Sequence, residues 1–258
     1  PDPASINACK IGGIVANNAS GMCCGTAQNS YHTLAGIRLV LADGTVLDTE
    51  DPLSVTRFFA THADLLAQLN ELGKQTRANS ALAAKIRHKY RLKNTTGLSL
   101  NALVDFDQPL DILSHLLVGS EGTLGFISAV TYNTVPDHPH KASALLVFPD
   151  VESCCRAVTV LKQQPVSAVE LLDRRSLRSV QDKPGMPEWV KALSDSACAL
   201  LIESRAASQS LLHEQLQLIM ASIADFPLEK QVDFSEDPAV YNLLWKIRKD
   251  TFPAVGAV

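Results

Sequence analysis

Residues 11–25, IGGIVANNASGMCCG, combine four glycines with asparagine and serine side chains, within a longer run (residues 11–37) that contains no Asp, Glu, Lys or Arg. Glycine allows close approach and positive φ, and amide side chains form hydrogen bonds without carrying charge. This combination is typical of backbone laid against a large uncharged cofactor, and equally of a buried glycine-rich loop in an ordinary core. A membrane span is not favoured, because Asn17, Asn18 and Gln28 would be costly in hydrocarbon. The residues alone leave the cofactor wall and the buried loop open.

A second glycine loop lies at residues 118–125, VGSEGTLG. The loop has the glycine spacing G-x-x-G-x-x-G. It follows a predicted helix and precedes a predicted strand, which is the reverse of the strand-to-helix order of a dinucleotide-binding loop. No P-loop, nucleophile elbow or H-E-x-x-H motif occurs in the sequence. The loop by itself is therefore only a weak indication of a ligand site.

Other polar clusters have two interpretations each. The basic residues Lys85, Arg87, Lys89, Arg91 and Lys93 are typical of a solvated face, and they could also attract an anionic substrate or cofactor phosphate. His138 and His140 could ligate a metal, but without a nearby carboxylate or cysteine at ligand spacing they are interpreted as linker residues.

Composition excludes several classes of protein. The 258 residues suffice for one large domain or two of ordinary size, with 46% hydrophobic residues and a net charge of −4. The lack of basic excess and the 5% aromatic content argue against nucleic-acid binding. No apolar run is long enough for a transmembrane helix, and no signal peptide is visible. The six cysteines form no C-x-x-C pair and are interpreted as reduced thiols of a cytoplasmic protein.

The elements before residue 137 are predicted from periodicity and turn residues. Alternating apolar residues around Asp43-Gly44 predict a β-hairpin over residues 36–48. Apolar residues at helical spacing predict two helices within residues 55–90, separated near Asn79-Ser80. A helix at residues 110–117 and a strand at residues 126–135 flank the second glycine loop.

After residues 137–140 the pattern changes and repeats. Strand, helix and strand are predicted at residues 142–148, 151–161 and 168–172, and the same order recurs at residues 197–203, 212–223 and 229–234. Two β-α-β units in succession predict a ferredoxin-like layer, an antiparallel sheet with helices on one face. A last helix, residues 239–251, contains Trp245 and Arg248. The proline-bearing joint predicts a domain boundary, with domains at residues 1–136 and 137–258.

Three stretches in order resemble the FAD-dependent D-2-hydroxyacid dehydrogenases of the vanillyl-alcohol-oxidase type. They are Asp2-Pro3-Ala4-Ser5 with residues 9–21 (CKIGGIVANNASG), residues 94–100 (NTTGLSL) and residues 118–127 (VGSEGTLGFI). That family includes D-lactate dehydrogenase, D-2-hydroxyglutarate dehydrogenase and the glycolate oxidase catalytic subunit. The similarity to the long subgroup with a downstream iron–sulfur region, and the way the chain begins and ends, lead us to expect a piece of a longer polypeptide.

The resemblance implies an α+β fold. Residues 1–136 would be the second half of a PCMH-type FAD-binding domain, with a mixed or antiparallel sheet and helices. Residues 137–258 would begin the ferredoxin-like C-terminal substrate or cap domain of FAD-linked oxidases.

The resemblance also implies site residues. Ser5, Gly12, Gly13, Asn17 and Gly21 would lie along the isoalloxazine ring and ribityl chain of FAD, chiefly through backbone contacts. The main-chain groups of Gly122, Gly125 and Ile127 would hold the adenine side or the flavin.

For the substrate, Arg248 is similar to the family's carboxylate-binding arginine, and Lys93 is a second candidate. A guanidinium can grip a carboxylate with two parallel hydrogen bonds. The alternative for Arg248 is a helix-surface ion pair with Asp250 or Glu236. Leu98 stands where many members have Tyr, and the upstream pyrophosphate loop, the histidine motif and the iron–sulfur cysteines of the family are not in this sequence. No catalytic base and no metal ligand is therefore assigned.

The implied reaction is oxidation of a D-2-hydroxy acid to the 2-oxo acid, with hydride transfer to FAD and electrons passed to a quinone or an iron–sulfur centre. The chain by itself is expected to be inactive, and the protein to be cytoplasmic or peripheral at a membrane, without nucleic-acid partners or a transmembrane segment. The alternatives are an oxidase of the same fold that acts on an alcohol or sugar, and a non-catalytic α/β fragment.

Overall fold

The computed structural model describes residues 1–255 except positions 4, 7, 22, 96 and 185, with residues 252–255 described by their backbone alone. Ala4 and Thr96, which belong to the first two motifs, therefore lie outside the described residues. The chain divides into two compact units, Pro1–Val135 and Pro136–Val258. Each unit is described separately.

The first unit has a three-stranded antiparallel sheet in the order β2-β1-β3. Val40 pairs with Val46, and Gly44 has φ +86° in the turn between them, so the predicted hairpin is confirmed. The elements in chain order are α1 (Ile11–Asn17), α2 (Ser30–Thr33), β1 (Leu34–Val40), β2 (Val46–Asp48), α3 (Pro52–Thr61), α4 (Ala63–Ala78), α5 (Ser80–Lys89), α6 (Ala102–Asp105), α7 (Pro109–Leu117) and β3 (Phe126–Tyr132).

The helical region between β2 and α6 differs in part from its prediction. The break at Asn79 is confirmed, where the side-chain oxygen accepts a hydrogen bond from the Leu82 amide and caps α5. A second break, at His62, was not predicted, so the region holds three helices instead of two. The His62 ring stacks on Phe58 with centroids 4.4 Å apart, and its Nε2 lies 3.0 Å from Asp43 Oδ2 in the hairpin turn. The break therefore depends on contacts with the hairpin, which the local sequence does not reveal.

The core of the first unit lies between the sheet and its helices. Alternate β1 residues, Ile37 and Leu39, are buried together with Phe58 of α3, Leu66 of α4 and Leu117 of α7. Burial of such a side chain is worth roughly 1.5–3 kcal/mol. The core fixes the positions of α7 and β3, and thereby the two ends of the second glycine loop.

The second unit has a four-stranded antiparallel sheet in the order β5-β6-β4-β7. This is the strand order of two interlocked β-α-β units, so the predicted ferredoxin-like layer is confirmed. Its elements in chain order are β4 (His140–Phe148), α8 (Val151–Leu161), β5 (Ala168–Asp173), α9 (Arg174–Val180), a 3₁₀ turn (Glu188–Val190), β6 (Cys198–Ala206), α10 (Gln209–Ser222), β7 (Lys230–Ser235) and α11 (Pro238–Val255).

Helices cover both faces of this sheet, not one face as the sequence predicted. Leu200 and Ile202 of β6 are buried with Cys154 of α8 and Ile219 of α10. Glu203 has the opposite parity in the strand and contacts Trp245 of α11, so α11 lies on the other face. Burial on both faces explains why residues 144–148 of β4 and 198–202 of β6 are continuously apolar instead of alternating.

None of the helices in the described part of the chain is both long enough and apolar enough to cross a membrane.

Candidate functional site

The second glycine loop packs against the end of α1. The amides of Gly119 and Glu121 donate hydrogen bonds of 3.1 and 2.9 Å to the carbonyl oxygens of Val15 and Ala16. The Asn17 side chain donates to the Glu121 carboxylate. The two backbone bonds join the loop to carbonyl oxygens in the last turn of α1, where a helix runs out of its own amide donors.

The NTTGLSL stretch joins the same place. Ser99 Oγ donates a 2.6 Å hydrogen bond to the carbonyl oxygen of Val118. A Cβ added to Gly119 would lie 3.3 Å from the Gly97 carbonyl oxygen and 3.4 Å from the Asn18 Cβ. The three motifs named from the sequence therefore meet around Gly119, and we call this the motif junction (residues 15–18, 97–99 and 118–121).

Gly119 is predicted to be indispensable to the junction. Its φ of +88° disfavours any residue with a Cβ, and a Cβ would also press on the Gly97 carbonyl oxygen at 3.3 Å. Gly119→Ala should therefore lower the free energy of unfolding by roughly 2–4 kcal/mol, as measured by urea denaturation. Gly122→Ala is the matched control: Gly122 also has positive φ, +77°, but open space around it, so it should lose only about 1–2 kcal/mol. Equal losses in the two variants would show that the junction is not tightly packed.

The predicted flavin-wall residues differ in their surroundings. Gly12 and Gly13 lie on the exposed side of α1, where an added Cβ would meet no atom within 4 Å. Ile11 beside them is 53% exposed, and Ser5 is exposed as well. The first turn of α1 thus presents an exposed, uncharged surface, and its two glycines leave the backbone there uncovered by side chains.

Other predicted residues pack against the chain itself. A Cβ on Gly21 would overlap the Asp2 backbone, and one on Gly125 would lie 3.1 Å from the Val40 carbonyl oxygen. Ile127 packs in the core of the first unit. These residues are needed by the fold, and their main-chain contacts with a cofactor remain predictions. Gly122 is exposed, with open space at its Cβ position.

Lys93, the second substrate candidate, donates from Nζ to the carbonyl oxygen of Gly21. It therefore contacts the end of the first motif. The rest of the basic cluster, Lys85, Arg87, Lys89 and Arg91, is exposed, as a solvated face would be.

A polar group in which Tyr31 and Asn101 are buried and Asp105 is exposed was missed by the sequence reasoning. The Tyr31 hydroxyl and the Asn101 side-chain nitrogen both donate to Asp105 Oδ2, at 2.8 and 3.1 Å. Burial, together with the Asp105 carboxylate, holds the pKa of Tyr31 well above its ordinary value. Asn101 and Asp105 lie four residues apart at the two ends of α6, whereas Tyr31 comes from α2, so the sequence does not indicate that Tyr31 joins them.

His115 of α7 is a half-buried histidine of the first unit. Its ring stacks on Phe106 with centroids 3.9 Å apart, and its Nδ1 lies 2.8 Å from the Asp111 carbonyl oxygen. Burial lowers the pKa of His115 below its ordinary value of 6.5, although Asp111 and Asp105 oppose the shift. His115 also lines a separate cavity with about 410 Å³ of empty space, including its open side.

We predict that His115 makes the fold sensitive to acid. Because the folded-state pKa is depressed, the unfolded chain binds a proton first as the pH falls below about 6.5. The free energy of unfolding should therefore decrease as the pH falls from about 6.5 to the folded-state pKa. Below that pKa the contribution of His115 should no longer change with pH. Urea denaturation at a series of pH values should show that the free energy of unfolding decreases less steeply with falling pH in His115→Gln than in the wild type. A parallel decrease in both proteins would show that His115 is not the acid-sensitive group.

In the second unit, Arg248 of α11 pairs with Glu170 of β5, with 2.8 Å between Nε and Oε2. The two side chains are 24% and 19% exposed. The alternative partners expected from the sequence are wrong, because Asp250 bonds Lys246 and Glu236 bonds His213. Glu170 comes from a distant strand, which helical spacing could not indicate. The two terminal nitrogens of Arg248 have no acceptor among the described residues.

A buried polar network positions α11 on the sheet. Trp245 Nε1 donates to Glu203 Oε2 at 2.6 Å and lies 3.2 Å from Ser143 Oγ. Glu203 is 2% exposed, and its other oxygen accepts from Arg205 Nε at 2.6 Å. A buried carboxylate that is bonded in this way fixes the helix one turn before Arg248.

Trp245→Phe is predicted to lower the free energy of unfolding by roughly 1–3 kcal/mol, because it removes a donor from a buried carboxylate. Trp189→Phe is the control, since the Trp189 indole has no hydrogen-bond acceptor among the described residues and should change stability little. The measurement is urea denaturation followed by circular dichroism. A loss in Trp189→Phe as large as in Trp245→Phe would show that the indole's hydrogen bond to Glu203 does not matter.

Two family models match separate parts of the chain. A family model described as FAD linked oxidases, C-terminal domain, matches residues 137–258, and one described as FAD binding domain matches residues 1–50. The second unit and the first motif thus match two parts of one kind of flavoprotein.

Relatives with curated names share this similarity. The mitochondrial D-lactate dehydrogenase [cytochrome] of Arabidopsis thaliana is 32% identical over 148 residues, which cover 57% of this chain and 25% of that protein. Glycolate oxidase subunit GlcD of Escherichia coli strain K12 is 26% identical over 266 residues, covering 100% of this chain and 40% of that protein. The mitochondrial D-2-hydroxyglutarate dehydrogenase of Arabidopsis thaliana is 24% identical, covering 100% of this chain and 38% of that protein.

A solved structure shows the same fold. Alkyldihydroxyacetonephosphate synthase superposes with a TM-score of 0.60 and 13% identity, covering 98% of this chain and 40% of that one. At this identity the likeness concerns the fold alone.

The two matched domains are those of FAD-linked and FAD-binding proteins. Residues 137–258 belong to the C-terminal domain family of FAD-linked oxidases and residues 1–50 to an FAD binding domain family, as the resemblance predicted. The chain spans about two fifths or less of the length of these curated relatives.

Proposed function

We propose that the chain contributes part of an FAD site and part of a substrate site to an enzyme that oxidises a 2-hydroxy acid to the 2-oxo acid. The observation that carries the proposal is the motif junction, where three stretches far apart in sequence meet through backbone hydrogen bonds, the Ser99 hydroxyl and close packing at Gly119. In this proposal residues 1–136 belong to the FAD-binding domain and residues 137–258 to the substrate domain.

The residues around α1 fit a flavin. Gly12 and Gly13 leave open space at their Cβ positions, and exposed Ile11 gives an apolar surface next to them. A planar, largely apolar ring is recognised by flat walls and a few fixed amide dipoles instead of ions. The absence of charged residues from positions 11–37 suits such a ring. Bound FAD would supply the acceptor for the hydride of the substrate α-carbon.

Arg248 and Glu170 fit the substrate class. The terminal nitrogens of Arg248 remain available to donate two hydrogen bonds to a carboxylate, while Glu170 accepts from Nε. Glu170 Oε1 also has no hydrogen-bond donor among the described residues, so a hydroxyl next to the carboxylate could donate to it. A 2-hydroxy acid carries both groups on adjacent carbons. Fixing the carboxylate would orient the α-carbon of the substrate for hydride transfer, and correct orientation of the reacting atoms accelerates a reaction.

The test is equilibrium titration of the purified 258-residue chain with FAD, followed by quenching of flavin fluorescence. We expect saturable binding that a large excess of ADP does not fully abolish, since the flavin ring itself would be held. No saturable binding to the chain, or to the longest natural polypeptide that contains it, would refute the proposal.

A further inference from the structure

The charges of the chain are unevenly distributed along the sequence. Residues 72–104 contain seven lysines and arginines and no Asp or Glu. All 27 acidic residues and the other 16 basic residues lie outside this stretch, so it carries a formal charge of +7 and the rest of the chain −11. A segment with such an excess of one sign attracts a partner of the opposite sign.

Most of these cations are not neutralised within the fold. Arg77 lies 3.3 Å from the Asp107 carboxylate, and Lys93 donates to the Gly21 carbonyl oxygen. The other five are exposed and form no ion pair with the residues that the structure describes: Lys74, Lys85, Arg87, Lys89 and Arg91. Their charge is therefore available to a partner.

Helix α5 presents most of these cations to the outside. Its packing against the first unit is limited, since Ala83 and Ile86 are buried together with Val104, and Tyr90 packs against them. The other eight residues of α5 are all exposed. The helix therefore lies at the periphery of the unit and leaves most of its circumference open.

Exposed leucines accompany the cations. Leu82 is 42% exposed and lies on one face of α5 with Lys85 and Lys89, because residues three and four positions apart are neighbours on a helix. Leu92, which follows the end of α5, is 75% exposed. The basic face thus continues into an apolar one.

Leu100 is held beside the same helix end. The Tyr90 hydroxyl donates to the Leu98 carbonyl oxygen at 2.6 Å and accepts from the Leu100 amide at 3.0 Å. The Leu100 residue is 43% exposed. We call residues 82–92 together with Leu100 the α5 surface. It combines four cations with three exposed leucines and contains no acidic residue.

We propose that the α5 surface binds an anionic phospholipid bilayer, with its cations at the lipid headgroups and its leucines in the apolar boundary below them. Headgroup phosphates attract lysine and arginine, and the acyl chains next to them accept leucine. A free phosphate would use the cations alone. An acidic protein surface would have to bring its carboxylates against the exposed leucines, which is costly. The proposal goes beyond the proposed function and does not depend on it.

The experiment is co-sedimentation of the longest natural polypeptide that contains this chain with vesicles of phosphatidylcholine, alone or mixed with phosphatidylglycerol. Lys85→Gln/Lys89→Gln removes two cations, and Leu92→Gln removes an apolar side chain. All three residues are exposed, so these variants should fold normally, which circular dichroism verifies.

Matched controls make the same changes at exposed residues of the second unit. They are Lys162→Gln/Lys230→Gln for the charge and Leu218→Gln, at a leucine that is 57% exposed, for the apolar side chain. A general effect of net charge or surface hydropathy would appear in these controls as well.

We expect the wild type to bind the mixed vesicles and not phosphatidylcholine alone. Each basic residue near an anionic bilayer strengthens binding about fivefold, so the lysine variant should bind roughly tenfold more weakly or worse. Leu92→Gln should bind roughly threefold more weakly or worse, and both controls should bind as the wild type does. Binding should also weaken as salt rises from about 0.1 M to about 1 M, which shortens the Debye length from about 10 Å to about 3 Å.

The proposal is overturned if the wild type does not bind the mixed vesicles, which would leave a solvated face or a site for an acidic protein. It is also overturned if phosphatidylcholine alone binds equally well, if either α5 variant keeps wild-type affinity, or if the controls weaken binding as much. Loss of bound flavin from the lysine variant would show that these cations hold a cofactor phosphate instead, and would likewise overturn it.

Flavin reduction separates this proposal from the proposed function. Vesicle binding that depends on the α5 surface, in a polypeptide whose bound flavin no 2-hydroxy acid reduces, would support the bilayer contact and reject the proposed function. Flavin reduction by a 2-hydroxy acid without any vesicle binding would do the reverse.

Discussion

Arg248→Ala should raise the KM for a 2-hydroxy acid at least tenfold in the longest natural polypeptide that contains this chain, with its flavin content unchanged. The terminal nitrogens of Arg248 are the groups expected to hold the substrate carboxylate, and loss of a charge-assisted bidentate pair has an effect of this size. Arg248→Lys should be only partly active, since an ammonium keeps the charge but not the planar fork. Steady-state kinetics with a dye acceptor measures both constants.

The Glu170 pair provides a control for stability. Arg248→Ala leaves the Glu170 carboxylate, 19% exposed, without its cation, so this variant should unfold more easily. Adding Glu170→Gln should recover stability without restoring KM. Lys246→Ala, which removes an exposed ion pair on the same helix, should leave KM unchanged. An unchanged KM in Arg248→Ala would remove Arg248 from the substrate site.

Gly13→Val should weaken FAD binding at least tenfold without destabilising the fold. The structure has open space at the Gly13 Cβ position, and valine is a better helix former than glycine by a few tenths of a kcal/mol. The valine side chain would therefore clash only with a ligand that lies against this face of α1. Fluorescence titration with FAD and urea denaturation measure the two effects.

Ala60→Val is the matched control for that substitution. Ala60 is exposed on α3 of the same unit, outside the predicted wall, and its replacement should change neither FAD affinity nor stability appreciably. Normal flavin binding by Gly13→Val would refute the assignment of α1 as a flavin wall. A large loss of stability would instead show that the glycine serves the fold.

The sequence predicted the features that depend on local spacing. The hairpin at Asp43-Gly44, the break at Asn79 and the two β-α-β units follow from turn residues and periodicity, and the structure contains all three. The family follows from three motifs in order, and the matched domains confirm it.

The features that the sequence did not predict depend on distant partners. Two glycines in seven residues make α1 a poor helix by propensity, and its last carbonyls are bonded by amides of Gly119 and Glu121, about a hundred residues later. The Glu170 partner of Arg248 and the hydrogen bond from Tyr31 to Asp105 are likewise formed by chain segments brought together only on folding. The roles of the remaining wall residues, Ser5, Asn17, Gly21, Gly125 and Ile127, stay predictions.

The central claim is that bound FAD accepts electrons from a 2-hydroxy acid. It is tested most directly by mixing the flavin-loaded longest natural polypeptide, without oxygen, with D-lactate, D-2-hydroxyglutarate or glycolate and recording the visible flavin spectrum. The account predicts bleaching of the oxidised flavin by at least one of them, and none by the corresponding 2-oxo acids. A bound flavin that stays oxidised with every 2-hydroxy acid would contradict it.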